Sequence, residues 1–228
     1  PATTEIYPLP LHDALPILAW RFQFFPSGKG SIFLKNVIFA SLINSRKVMI
    51  LNERDARHEH ILQVARQMMT AARTAPKGKG IDIIEVALIT DEDIKLLSDK
   101  MIAMVEEHGM KFFLRDADNI LSAECVVLIG TREQAQGLNC GHCGFATCAG
   151  RTEDVPCALN SIDVGIAIGS ACATAADMRV DTRVMFSAGL AAQRLNWLKD
   201  CKMVMAIPVS ASSKNPFFDR KPKQETKA

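Results

Sequence analysis

The stretch Asn139-Cys140-Gly141-His142-Cys143-Gly144-Phe145-Ala146-Thr147-Cys148, followed by Cys157 after eight intervening residues, decides how this chain must be organised. Four thiols at spacings of two, four and eight residues can converge on one centre, because glycine-containing turns let the backbone wrap around it. Four cysteines are the ligand set of a [4Fe-4S] cluster. Residues 139–157 are therefore expected to form an iron–sulfur loop set into a framework of strands and helices, with Cys140, Cys143, Cys148 and Cys157 as metal ligands. Gly141 and Gly144 allow close approach of the backbone, so that amide N–H groups can donate to the anionic sulfurs. His142 is read as outside the ligand set, which the cysteines complete.

Other readings of the same thiols stay open. A structural zinc site usually shows two close pairs, and the gap from Cys148 to Cys157 is wide for that. A disulfide framework fits poorly with seven cysteines, an odd number. Redox-active thiols remain a further option. Cys125, Cys172 and Cys201 lie in apolar or alanine-rich runs and read as small buried hydrophobes.

Outward from the loop, regular structure is legible on both sides. Ile61, Val64, Ala65, Met68 and Ala72 recur at helical steps between Glu53 and Arg73, and this helix should end near Pro76. His58 and His60 fall in its first turns and read as solvated. Ile83 to Ile89 reads as a buried strand, and Thr90-Asp91-Glu92-Asp93 as a capping box. The box opens a helix carrying Ile94, Leu97, Met101, Met104 and Val105, stopped by Gly109. Cys125 to Ile129 is a second strand. After Cys157, Asn160 or Ser161 can cap a long helix in which Gly165 and Gly169 permit close packing on a neighbour. A further helix is expected from Thr182 to Leu198, and a third strand from Met203 to Val209. Asp177, Arg179, Asp181 and Arg183 make a charged connection that is usually a solvated face, though in a site-facing turn it could hold a ligand or a partner.

The chain has 228 residues, of which 48% are hydrophobic, enough for a real core. A formal net charge of +2 provides no electrostatic footprint for nucleic acid. No apolar run is read as long enough to span a bilayer, so a cytoplasmic location away from membranes is expected. G-x-S-x-G, H-E-x-x-H and P-loop patterns are all missing, which removes the usual hydrolase and kinase signatures. Residues 1–48 lack helical or strand period, and all ten methionines fall at Met49 or later. Glu5 to Ile17 looks like a translated sequencing-adapter oligonucleotide. Residues 1–48 are accordingly expected to be a non-native or unstructured extension, and 49–228 the folding unit.

Three resemblances add to this reading. The C-G-x-C-G-x-x-x-C run at Cys140 to Cys148 resembles that of the small [4Fe-4S] domains of electron-transport and corrinoid iron–sulfur proteins. The stretches Ile162 to Ser170, Ala176 to Asp181 and Ser213 to Arg220 resemble a prokaryotic family of uncharacterised ferredoxin-domain proteins, over about Met49 to Arg220. Ala71 to Gly78, together with Met203 to Pro208 and the later Asp219-Arg220, is similar to nitroreductase-like flavoproteins. That last resemblance implies an α+β sandwich, with helices packed on a sheet and the 4Fe-4S cysteine loop inserted. It also implies a homodimer and bound FMN, whose phosphate Arg73, Lys77, Lys79 and Arg220 would meet. Arg54 and Arg57 stand in poorly for the family's early basic element, and Gly80 and Asp82 replace the amide side chains expected after the turn.

The leading functional expectation is an iron–sulfur protein that carries single electrons for a redox partner protein not identifiable from sequence. One alternative is an FMN-dependent oxidoreductase fed by the cluster. The other is a non-catalytic module with a structural or sensing cluster. A reversible one-electron couple favours the first two, and a cluster that resists reduction favours the third.

Overall fold

The computed structural model describes residues 50–218. The expectations for residues 1–48 and for Arg220 lie outside the described residues. Helix α1 (Glu53–Thr74) opens at Asn52, whose side-chain oxygen accepts the Arg54 N–H at 3.0 Å. It buries Ile61, Val64, Ala65, Met68 and Ala72, the face its sequence period predicts. Strand β1 (Ile84–Thr90) leads into α2 (Glu92–His108), which ends at Gly109 with a left-handed φ of 66°. The entry to α2 departs from expectation. Asp91 is the N-cap, at φ 52°, and no side-chain capping bond forms. The chain turns too sharply out of β1 for the box, so α2 depends on its packed face, with Glu92 and Asp93 meeting its dipole.

Helix α3 (Phe112–Ile120) has no counterpart in the sequence reading, because it is one of the shortest and buries the polar Asp116 and Asn119 among its core residues. Strand β2 (Cys125–Arg132), helix α4 (Ala158–Asp177), the two-residue strand β3 (Asp181–Thr182), helix α5 (Phe186–Arg194) and strand β4 (Cys201–Ser210) complete the regular elements. The helix expected from Thr182 to Leu198 is thus shorter, since Thr182 pairs with Val209 of β4.

All strand pairings are antiparallel, in the order β1-β2-β4-β3. Residues alternate between faces along β2. Val126 and Leu128 meet α2, α3 and α5, whereas Cys125, Val127 and Ile129 meet α1 and α4. A sheet buried on both faces explains why β2 reads as an unbroken apolar run. The result is an α+β sandwich, with the long 133–157 connection emerging where β2 ends and α4 begins. Each large side chain buried in these two cores contributes about 1.5–3 kcal/mol.

Packing corrects further expectations. Gly165 and Gly169 face solvent, and a Cβ at either would meet nothing within 4 Å. The close approach occurs instead at Gly189 of α5, where a Cβ would lie 2.1 Å from the Val204 carbonyl oxygen of β4. Arg183 is not solvated: its Nη1 donates to the Phe217 carbonyl at 2.8 Å and lies 3.4 Å from the buried Asp116 carboxylate. That carboxylate also accepts from Ser187 Oγ at 2.7 Å. His58 is exposed as expected, and pairs with Glu124 at 2.7 Å. The reading that no apolar segment could span a bilayer is corrected as well. Helix α4 is 20 residues long, with a mean hydropathy of 1.3 over its most apolar window. One face of it is packed against α1 and the sheet, and of its two acidic residues Asp163 is buried while Asp177, at its end, is exposed.

Candidate metal centre

The four cysteines lie on one connection between β2 and α4. Cys140 is exposed, Cys143 and Cys148 are half-buried, and Cys157 is buried as the N-cap of α4. The loop is wound by left-handed residues: Asn139 at φ 48°, Gly141 at 72° and Gly144 at 89°. Gly141 and Gly144 therefore act through conformation, since an L side chain at these angles is strained. The Gly144 N–H closes a turn on the Gly141 carbonyl at 2.9 Å, so that Cys143 sits within the turn and Cys140 directly before it.

Asn139 clasps the far arm of the loop. Its Oδ1 accepts the Cys148 N–H at 2.8 Å, and its own N–H donates to the Cys148 sulfur at 3.4 Å. Farther along, the Cys157 N–H donates to Glu133 Oε1 at 3.1 Å, and Arg151 Nη1 lies 3.0 Å from the same oxygen. Arg151 also donates to the Val155 carbonyl, while its Nε is shielded from solvent with no acceptor. The four thiols themselves are not drawn onto one point. Among the described residues, no three His, Cys, Asp or Glu side chains are close enough to hold one ion.

The donor set nonetheless fits an iron–sulfur cluster. All four thiols are free. A backbone N–H already addresses one sulfur, a buried arginine donor lacks an acceptor, and the positive end of α4 lies at Cys157. Of the remaining cysteines, Cys125 and Cys201 are buried as expected and Cys172 is half-buried. Burial pushes the Cys125 thiol up to about 12 and the Cys201 thiol up to about 11, which keeps both protonated.

The basic turn expected to meet an FMN phosphate is arranged differently. Arg73 Nη1 donates to Asp82 Oδ2 at 2.8 Å and to the Ile84 carbonyl at 2.6 Å. Lys77 Nζ caps the end of α1 at the carbonyls of Ala72 and Arg73. Lys79 Nζ donates to the Gln136 carbonyl at 3.1 Å. The Gly78 N–H is taken by the buried Asp163 carboxylate, at 3.0 and 3.1 Å from its two oxygens. These groups serve the protein's own oxygens and, so arranged, do not fit a phosphate. A cavity of about 140 Å³ beside Glu133 and Asn160, and another of about 170 Å³ beside His58 and Asp91, are each below the roughly 300 Å³ at which cofactor sites begin.

Residues 153–220 match the family described as "Uncharacterized protein containing a ferredoxin domain (DUF2148)". An uncharacterised protein of Archaeoglobus fulgidus is 40% identical over 186 residues, covering 77% of this chain and 100% of its own length. The chain belongs to this family. Of the four loop cysteines of this ferredoxin-domain protein, Cys157 lies in the matched segment, which begins after Cys148. Among solved structures, a nitroreductase of Lactococcus lactis in complex with nicotinic acid is similar at a TM-score of 0.49 and 14% identity, covering 78% of this chain and 90% of its own. A nitroreductase of Bacteroides fragilis with bound FMN is similar at 0.48 and 9% identity, over 73% and 85% of the two chains.

Asn139, Glu133 and Arg151 escape the sequence reading. Asn139 directly precedes the first cysteine and Arg151 lies between the last two, positions that could have drawn attention to them. Glu133 carries no such signal, since its partners are 18 and 24 residues away.

Proposed function

We propose that this ferredoxin-domain protein binds one [4Fe-4S] cluster through Cys140, Cys143, Cys148 and Cys157 and passes single electrons to a partner protein. The observation that carries the reading is the clasp of Asn139 on Cys148, which aims a backbone N–H at a sulfur inside a C-x2-C-x4-C loop. When bound, the cluster supplies a one-electron couple. The chain's own part is to hold the four thiolates, direct N–H groups at them, and leave Cys140 near the surface, where a partner can approach. The partner would be a protein, rather than nucleic acid or a membrane, met in the cytoplasm. A second copy of the chain is a further candidate.

Anaerobic purification followed by iron and sulfide analysis and an electron paramagnetic resonance spectrum tests this. About four irons and four sulfides per chain, with a cubane signal on reduction, are expected. Zinc in their place, or protein that never takes up iron, overturns the reading. The FMN-dependent alternative draws no support from the turn at Gly78, where Asp163 meets the amide. Retention of FMN through gel filtration would restore it.

A further inference from the structure

We propose that Arg151 donates a hydrogen bond through Nε–H to a sulfur of the cluster, and so sets its reduction potential. The inference rests on the cluster reading above and adds to it a side chain that no cysteine spacing reveals. Arg151 bridges the last two ligands. Its backbone N–H donates to the Cys148 carbonyl at 3.4 Å, closing the short turn Cys148–Gly150. Its Nη1 shares Glu133 Oε1 with the Cys157 N–H. The backbone of Arg151 is thus tied to Cys148 and its guanidinium to the carboxylate that holds Cys157, and its side chain is only 11% exposed.

An arginine acting only as an anchor would engage its donors with the protein. Here Nη1 serves Glu133 and the carbonyls of Thr152 and Val155, while Nε is buried without an acceptor. Leaving a charged donor unmatched away from water costs free energy, so such a group in a folded protein calls for an acceptor. The proposed ligands nearest to it in the chain are Cys148, three residues before, and Cys157, six residues after. Cubane and thiolate sulfurs are anionic acceptors, and N–H donors to them are among the levers that set the potential. Reduction adds one electron, and so one negative charge, to the cluster. A donor at Nε stabilises the reduced form more than the oxidised form and raises the potential.

The test uses the full chain, prepared anaerobically, with Arg151→Gln, Arg151→Lys and Glu133→Gln. Iron and sulfide per chain are measured first, and the midpoint potential then by a titration followed by electron paramagnetic resonance. Arg151→Gln should shift the potential to more negative values, and Arg151→Lys, which keeps a charge without the Nε–H, should shift it less. Glu133→Gln loosens the anchor while sparing the donor, and should speed cluster loss without a negative shift. Wild-type protein labelled with 15N-arginine should show a nitrogen coupling to the reduced cluster in pulsed spectra, absent from Arg151→Lys. An unchanged potential in Arg151→Gln at full iron content, or no arginine coupling in the wild type, overturns the role of Arg151. Failure of the wild type to hold iron sinks the cluster reading instead, so the two failures are distinguishable.

Discussion

Asn139 and Cys148 hold each other by two hydrogen bonds: the Cys148 N–H donates to Asn139 Oδ1 at 2.8 Å, and the Asn139 N–H donates to Cys148 Sγ at 3.4 Å. Eight residues of loop, including Cys140 and Cys143, are closed by this contact. Asn139 can do this because an asparagine tolerates its left-handed φ of 48° better than most residues.

Asn139→Ala should keep the fold and loosen the loop. The lost side-chain bond contributes about 1 kcal/mol, a factor of roughly five, so cluster loss to a chelator should be about fivefold faster. Circular dichroism should be unchanged. Equal loss rates in mutant and wild type would show that the clasp does not hold the loop around its ligands.

Thiol reactivity should separate the two classes of cysteine. Only a thiolate is alkylated readily, and burial keeps Cys125 and Cys201 protonated, with Cys172 also shifted upward by burial. In native, cluster-free protein at pH 8, mass spectrometry should find iodoacetamide first on the exposed Cys140, with Cys125 and Cys201 unmodified. The same raised thiols destabilise the fold in base. Their contribution is full below the unfolded thiol value near 8.5, and fades as pH rises from there toward about 11 to 12.

Acid should weaken the link between α1 and the residues leading into β1. Burial alone would raise the Asp82 carboxyl, but hydrogen bonds from Arg73 and the Ile84 N–H outweigh it and leave it below the ordinary value. A lowered carboxyl contributes stability above the unfolded value of about 4, and loses it as pH falls through the folded value. Asp82→Asn should therefore flatten the loss of stability between about pH 5 and 3 in urea titrations. At pH 7 it should cost under about 1 kcal/mol, because the pair is partly exposed. An unchanged acid slope would remove Asp82 as a contributor.

Gly189→Ala should be among the most damaging single-methyl changes in the chain. The added Cβ would meet Val204 O at 2.1 Å and Met205 Cα at 2.7 Å, both backbone atoms that cannot rotate away. About 3 kcal/mol of lost stability is expected, or a Tm lower by roughly 6–12 °C. Gly165→Ala faces open space on α4 and should leave Tm unchanged or raise it slightly. Similar Tm values for Gly189→Ala and wild type would mean that α5 and β4 are not so closely packed.

Much of the framework was legible in the sequence, because helix α1, strand β1, helix α2 and strand β2 each bury one unbroken apolar pattern. Helix α3 was not, since its Asp116 is buried by virtue of Ser187 and Arg183, residues some seventy positions away. The spacing of the four cysteines carried the proposed ligand set, but nothing local marked Glu133 as the acceptor for the Cys157 N–H.

The sequence by itself determined the periodic elements and the order of thiols along one loop, because both depend on neighbours within a few residues. Tertiary structure alone decided that Gly189 and not Gly165 is the tight contact, that Asp163 takes the Gly78 amide, and that the Nε of Arg151 is shielded from solvent without an acceptor. Each of these is a matter of which groups lose water together, and that is set when distant segments pack, since a polar or charged group buried in that way must find its partner among whatever the fold brings beside it.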